Sequence, residues 1–277
     1  MKNDKNGNPR GTLRGTKART KIRIAPLRKI VGLTAHVHLL GLSFITICSS
    51  ACSAGCDTCD TVVISFHIED IIQETPNIKS IYFNSKKKFY PGQFVMVWIP
   101  DVNEIPMSIS KITEPQAITF ARVGESTNVL FNYKKGLKIG IRGPYGTKYK
   151  LRGKNILFIA GGTGIASLIT AIEKTVKLGK NCTVLIGAKS KDELLFIRRV
   201  KKLSRVFYST NDGSAGYHGL VTDLSEEILK SASPKFDSII TCGPEIMMVK
   251  VLNLAKKYKI KYIEASLERL MKCAIGI

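Results

Sequence analysis

The chain has 277 residues, 44% of them hydrophobic, and a formal net charge of +22 at pH 7. That length suggests about two domains, and the composition supports buried cores and excludes wholesale disorder. Seven Cys are too few for a disulfide-built scaffold, and long uncharged apolar runs are too scarce for a multi-span membrane protein.

The positive charge is unevenly placed. Residues 1–30 hold ten Lys or Arg against one acid, Asp4, and show no apolar period, whereas residues 31–277 hold 33 basic and 20 acidic side chains. An apolar run over 30–51 follows, diluted by His36 and His38, which fits poorly to a secretory signal or a membrane anchor. Cys48, Cys52, Cys56 and Cys59 fall within twelve residues. The Cys52-x3-Cys56-x2-Cys59 spacing resembles the cluster loop of radical S-adenosylmethionine enzymes, but the chain beyond it does not read as their barrel. Residues 1–60 are therefore expected to be a basic, poorly ordered extension with fortuitous Cys, such as a translation start placed too far upstream would produce.

Short strands rich in β-branched and aromatic residues are predicted at 62–68, 78–84, 93–99, 118–123 and 137–142, separated by turn formers such as Pro91-Gly92. Such strands without intervening helices predict an antiparallel barrel over 61–150. From Lys154 the pattern alternates: strands at 155–160, 182–187, 205–209, 236–241 and 261–265, helices at 165–178, 192–200, 221–229 and 245–258. That alternation predicts a parallel sheet covered on both faces over 151–265. The fold class is thus a two-domain α+β chain, a barrel followed by an α/β nucleotide-binding unit, with 266–277 opening a further segment.

Gly161-Gly162-Thr163-Gly164 joins the first parallel strand to its helix. Glycines there let a phosphate approach the backbone, and the helix start supplies N–H donors and a positive dipole. Cys242-Gly243-Pro244 closes the fourth strand of that half and opens a helix, placing Cys242 at the carboxyl edge where a nicotinamide would lie. Read blandly, the first is a tight turn and Cys242 a small buried thiol.

Upstream lie Pro91-Gly92-Gln93-Phe94-Val95, Pro106-Met107-Ser108-Ile109-Ser110, Arg122-Val123-Gly124-Glu125-Ser126-Thr127 and Gly143-Pro144-Tyr145-Gly146. Their order and spacing before the glycine-rich turn resemble the ferredoxin–NADP reductase superfamily over residues 62–265. The resemblance implies that Pro106, Met107, Ser108, Ile109 and Ser110 line a flavin, the Ser hydroxyls and backbone N–H groups serving its ring and ribityl chain. It implies that Gly124 and Thr127, in a segment with Ser126, hold the flavin pyrophosphate. Many members carry Arg just before the Pro; here Glu104 and Ile105 stand there, and Arg122 is the substitute charge.

The run from Glu264 to Ile277 resembles the start of the iron–sulfur segment in electron-transfer subunits of two-subunit dihydroorotate dehydrogenases, with Cys273 matching the first 2Fe–2S ligand. The chain stops one residue before the second Cys would occur, so either this is a fragment or the cluster is absent, since two irons need four protein ligands. The resemblance implies FAD, a 2Fe–2S cluster and NAD as cofactors, a catalytic dihydroorotate-oxidising subunit as partner, a cytoplasmic location, and no specific nucleic-acid or membrane partner. No acid–base residue is expected, because the cofactors carry the chemistry. Sister diaphorase subunits of hydrogenases or sulfide dehydrogenases, or a ferredoxin–NADP reductase subunit, share these motifs. A polyanion-binding role for the basic tail is the reading from another class.

Overall fold

The computed structural model describes residues 63–267. Six strands form the first unit: β1 (Ile64–Thr75), β2 (Ile78–Phe83), β3 (Phe94–Ile99), β4 (Asn103–Lys111), β5 (Gln116–Ala121) and β6 (Lys138–Tyr145), with helix α1 (Glu125–Phe131) between the last two. They close into a barrel in the order β1-β2-β5-β4-β3-β6, with antiparallel neighbours. Alternation explains the closure. Val95, Val97 and Ile99 on β3 point inward and are wholly buried beside Ile81, Phe83, Ile118 and Ile139. Phe94, Met96 and Trp98 take the outer face, where Trp98 remains 44% exposed.

The second unit is a six-stranded sheet. Its strands are β7 (Asn155–Gly161), β8 (Asn181–Ala188), β9 (Arg205–Thr210), β10 (Tyr217–His218), β11 (Ser238–Cys242) and β12 (Tyr262–Ser266). Helices α2 (Ile165–Lys177), α3 (Ile197–Lys201), α4 (Val221–Ser231) and α5 (Glu245–Lys257) lie between them. All pairs are parallel, in the order β10-β9-β8-β7-β11-β12. On β7, Ile156, Phe158 and Ala160 pack with α2, while Leu157 and Ile159 pack with α4 and α5. Both faces are covered, so the strand reads as one unbroken apolar run. The order reverses at β7, between β8 and β11, and that reversal opens a crevice at the carboxyl ends.

The two units share an apolar seam. Ile78 and Ala121 of the barrel pack into the cluster built on α2, together with Tyr149 and Leu151 of the connection. Among the described residues, no helix is long and apolar enough to cross a membrane.

Four elements differ from expectation. β1 runs on to Thr75 past Glu69 and Asp70, because its outer face is solvated and tolerates charge. β4, with Pro106 at its centre, was not among the predicted strands. In the barrel, β5 joins β4 only at Ile109 and Lys111, so the proline needs no donor on that side. The barrel also carries α1, whose seven residues are too short for apolar periodicity to signal. The helix expected over 192–200 divides into a 3-10 turn, Lys191–Glu193, and α3. Phe196 between them adopts a left-handed conformation (φ 60°), at a cost of roughly 1–2 kcal/mol for a residue with a Cβ. The ten residues 268–277 and the tail 1–62, with Cys48, Cys52, Cys56, Cys59 and Cys273, lie outside the described residues.

Candidate active site

The nucleotide half of the site follows from the close approach of two backbone turns. Gly161 ends β7, Gly162–Gly164 form a 3-10 turn, and α2 begins at Ile165. Gly162 has φ 54°, which favours glycine, and a Cβ there would meet nothing within 4 Å. Its open side faces away from the protein and leaves room for a ligand. Gly164 is required for a different reason: a Cβ would sit 2.4 Å from the Cys242 carbonyl oxygen. The Gly-rich turn therefore nests against the end of β11.

Together these turns line a cavity of about 330 Å³. Gly161, Gly162, Thr163 and Gly164 form one side, and Gly243 and Pro244 form the other. Glu245 and Met248 of α5 complete the lining, with Leu267 just beyond β12. Six of the seven nucleotide-site residues expected from sequence are thus brought together. Cys242 is not among them. It is fully buried in the core with Ile165 and Ala166, and its backbone borders the Gly turn. Glu245 and Met248 went unrecognised as site residues, although their place in the first turn after Gly243-Pro244 was the available signal. Leu267 had none, since only the fold returns β12 to this cavity.

The barrel half rests on β4. Met107 and Ile109 point into the barrel core, while Pro106 and Ser108 are half-buried on the outer face. Ile109 N–H donates to the Gln93 carbonyl, so odd-numbered residues of β4 address β3. By alternation the main-chain groups of Glu104, Pro106 and Ser108 address the other edge, which β5 does not pair until Ile109. In register beside them, Phe94 faces both Ser108 and Tyr145, and the Phe94 and Tyr145 rings lie 5.8 Å apart. The edge and its aromatic pair suit a planar, hydrogen-bonding ring system.

Ser110 departs from the expected role. Its side chain is 1% exposed, and its hydroxyl accepts from Thr119 Oγ1 (2.7 Å) and donates to the Ala117 carbonyl (3.2 Å). That hydroxyl serves the barrel.

Arg122 and Gly124 are exposed at the entry to α1, with Ser126 and Thr127 half-buried. Thr127 Oγ1 accepts from the N–H groups of Val123 and Gly124 and donates to the Gly124 carbonyl, so the N3 side chain caps the entry to α1. A Cβ at Gly124 would meet nothing, so the backbone there is open to a ligand. Arg122 Nε donates to Asn128 Oδ1, and its guanidinium lies 5.6 Å from the Phe131 ring.

A guanidinium from another strand does lie beside Pro106. Arg142 on β6 is in register with Met96, which in turn faces Pro106. Arg142 Nη2 and Nε donate to the two Glu104 oxygens at 2.6 and 2.8 Å, and Nη1 donates to the Tyr145 hydroxyl at 3.1 Å. The bond to Glu104 raises the Arg142 pKa further. The guanidinium is thus fixed beside β4 and locally neutralised by Glu104. Its signal was its place at the end of the predicted strand 137–142, directly before the Gly143-Pro144-Tyr145-Gly146 motif.

Neither described thiol suits a metal cluster. Burial pushes the Cys182 thiol up to about 12, and Cys242 is enclosed in the core. Among the described residues, no three His, Cys, Asp or Glu side chains converge as a metal site.

The Oxidoreductase NAD-binding domain family matches residues 158–252. The chain is 46% identical over 210 residues to a Methanocaldococcus jannaschii protein named "Probable dihydroorotate dehydrogenase B (NAD(+)), electron transfer subunit", covering 76% of this chain and 79% of that one. A Methanocella arvoryzae protein of the same name is 42% identical over 218 residues, covering 77% and 82%. Among solved structures, an NADH-dependent reduced ferredoxin–NADP oxidoreductase shares the fold at a TM-score of 0.67 and 28% identity, covering 74% and 77%. The ferredoxin–NADP+ reductase of Plasmodium falciparum does so at 0.60 and 19%, covering 73% and 96%. The identity and coverage of the two archaeal relatives show that this chain belongs to the family of dihydroorotate dehydrogenase B electron transfer subunits.

Proposed function

We propose that this protein is an electron-transfer subunit that passes reducing equivalents from dihydroorotate, oxidised on a partner subunit, through bound FAD to NAD. The observation that carries the reading is the pairing of one open β4 edge with one glycine-lined cavity, joined by α2. The helix starts at the glycine turn and packs across the barrel seam. FAD, when bound, accepts and donates electrons and hydride, so it couples an upstream donor to a nicotinamide.

The chain's own residues bind and orient. Ser108 and the outward main-chain groups of β4 would hold the flavin ring, flanked by Phe94 and Tyr145. Gly124, Ser126 and Thr127 would receive the pyrophosphate. Gly161, Gly162, Thr163 and Gly164 would cradle the dinucleotide phosphates, and Gly243 and Pro244 would bound its nicotinamide end. No described residue is assigned a proton transfer.

The described residues do not fit a 2Fe–2S centre, so no step is assigned to one. Cys273, outside the described residues, is the proposed cluster thiolate. The catalytic partner and a cytoplasmic setting are proposed from the family name.

The test is to purify the full-length chain, load it with FAD and mix it anaerobically with NADH. The expected result is a yellow protein bleached by NADH. A protein that takes up no flavin on reconstitution, or whose flavin NADH leaves oxidised, overturns the proposal. Turnover of polysulfide or ferredoxin in place of dihydroorotate would assign the chain to a sister complex.

A further inference from the structure

A second cavity, of about 420 Å³, lies in the seam between the barrel and the nucleotide sheet. Asp70, Tyr82 and Lys111 line it from the barrel, and Glu173 and Arg199 from α2 and α3. Its charged groups already have partners. Lys111 Nζ donates to the Pro115 carbonyl at 2.8 Å, Asp70 Oδ1 accepts from Ile71 N–H at 2.9 Å, and Arg199 pairs with Glu173. Among these groups the ion pair is that of Arg199 with Glu173. What the cavity contains is a strut between the two units.

Arg199 makes that strut. Its Nε and Nη2 both donate to Glu173 Oε1, at 3.0 and 2.7 Å, and Nη2 also donates to the Ser110 carbonyl at 3.1 Å. Ser110 ends the flavin-lining run of β4, two residues and roughly 6.6 Å along the strand from Ser108. Glu173 lies on α2, the helix that begins at the glycine turn. One guanidinium therefore ties the strand expected to carry the flavin to the helix expected to carry the dinucleotide.

The support beneath Arg199 is unusual. α3 has only five residues, too few to persist on helix propensity. It is held by buried Leu195, Phe196 and Val200, and it begins at the left-handed Phe196, whose ring lies 5.2 Å from the Arg199 guanidinium. Strained backbone of this kind persists only where the surroundings over-determine it. Here it turns the chain so that Arg199 meets both Glu173 and Ser110.

We propose that Arg199 is a positioning residue for hydride transfer, setting the flavin-lining strand against the nucleotide-binding helix so that the two rings meet at reacting distance. Arg suits this because its planar fork serves two acceptors at once, whereas Lys is a single point charge. The inference rests on the flavin and nicotinamide reading above.

The experiment uses the full-length, FAD-loaded protein mixed anaerobically with NADH in a stopped-flow instrument. Flavin content, the flavin–nicotinamide charge-transfer absorbance and the dependence of the reduction rate on NADH are recorded. For Arg199→Ala, flavin content and half-saturating NADH stay within about twofold, while the limiting rate falls about tenfold to a hundredfold, as small misplacements at a reacting centre do. The charge-transfer band weakens with it. Arg199→Lys, which keeps a donor for Ser110, recovers part of both. If Arg199→Ala does not fold, Glu173→Gln decides: a fall of about threefold or more in limiting rate with a weaker band is expected from a loosened fork.

An Arg199→Ala protein with wild-type rate and band overturns the proposal, as does a rate loss that merely tracks loss of flavin. So does an unchanged Glu173→Gln protein when Arg199→Ala is unfolded. Wild-type protein that binds no flavin, or is not reduced by NADH, overturns the flavin reading instead.

Discussion

Two glycines two residues apart serve unlike purposes, and substitution separates them. At Gly164 the neighbouring carbonyl of Cys242 belongs to the backbone of a central strand and cannot swing away. Gly164→Ala is expected to destabilise the protein by about 1–3 kcal/mol through overpacking and to widen the nucleotide cavity. At Gly162 space is open and only the positive φ penalises a Cβ, so Gly162→Ala is expected to cost about 1–2 kcal/mol. Denaturant titration checks both, and NADH titration of the folded variants reports the cavity. Equal NADH affinity in Gly164→Ala and wild type would show that the nested turns do not shape the site. Sequence alone presented these residues as one phosphate-binding motif. Only the contact with Cys242 distinguishes packing from conformation.

The elements carry a second distinction, between those held by their own pattern and those held by a neighbour. β7 is fixed from both faces and also at its start. Asp237 Oδ2 accepts from the N–H groups of Lys154 and Asn155 at 2.8 and 2.9 Å, joining the connection to β11. Those bonds hold the Asp237 carboxyl below the ordinary Asp range. A depressed folded pKa contributes stability above the ordinary value and loses it as pH falls through the folded one. Asp237→Asn is therefore expected to cost about 1 kcal/mol at pH 7, a modest value because the carboxylate is partly solvated. The cost should shrink as pH falls below the ordinary Asp value and vanish once the wild-type group is protonated. Thermal unfolding across that range is the measurement, and a pH-independent difference would contradict the assignment. β4 and α3 belong to the other kind. A central proline and a five-residue helix lack self-sufficient patterns, and both are placed by the barrel and by α2.

The whole molecule depends on contacts that join the two units. Glu264 on β12 accepts the Lys150 N–H through both oxygens, at 3.1 and 3.0 Å, tying the chain just past the barrel to the sheet edge. Burial raises the Glu264 pKa, with the Lys150 N–H and charge opposing. A raised folded pKa gives stability that is full below the ordinary Glu value and lost as pH rises through the folded one. Glu264→Gln is accordingly expected to raise the melting temperature relative to wild type at pH 8 and to leave it level or lower at pH 4. A variant less stable at both pH values would show that the carboxylate's bonds outweigh its desolvation. The sequence by itself determined the two-unit architecture, the glycine turn and the ordered motifs, because β-alternation, unbroken apolar strands and glycine spacing are local properties of the chain. It also placed Pro106, Ser108, Gly124 and Gly243 as candidates. Tertiary structure decided what local patterns do not encode: that Cys242 and the Ser110 hydroxyl are consumed by packing, that Arg142 pairs with Glu104 beside Pro106, and that Arg199 reaches across the seam to β4. Each depends on residues 7 to 89 positions apart meeting across strands or units. Burial and partnership at that range are set by the closed barrel and the sheet reversal at β7, not by neighbours in sequence.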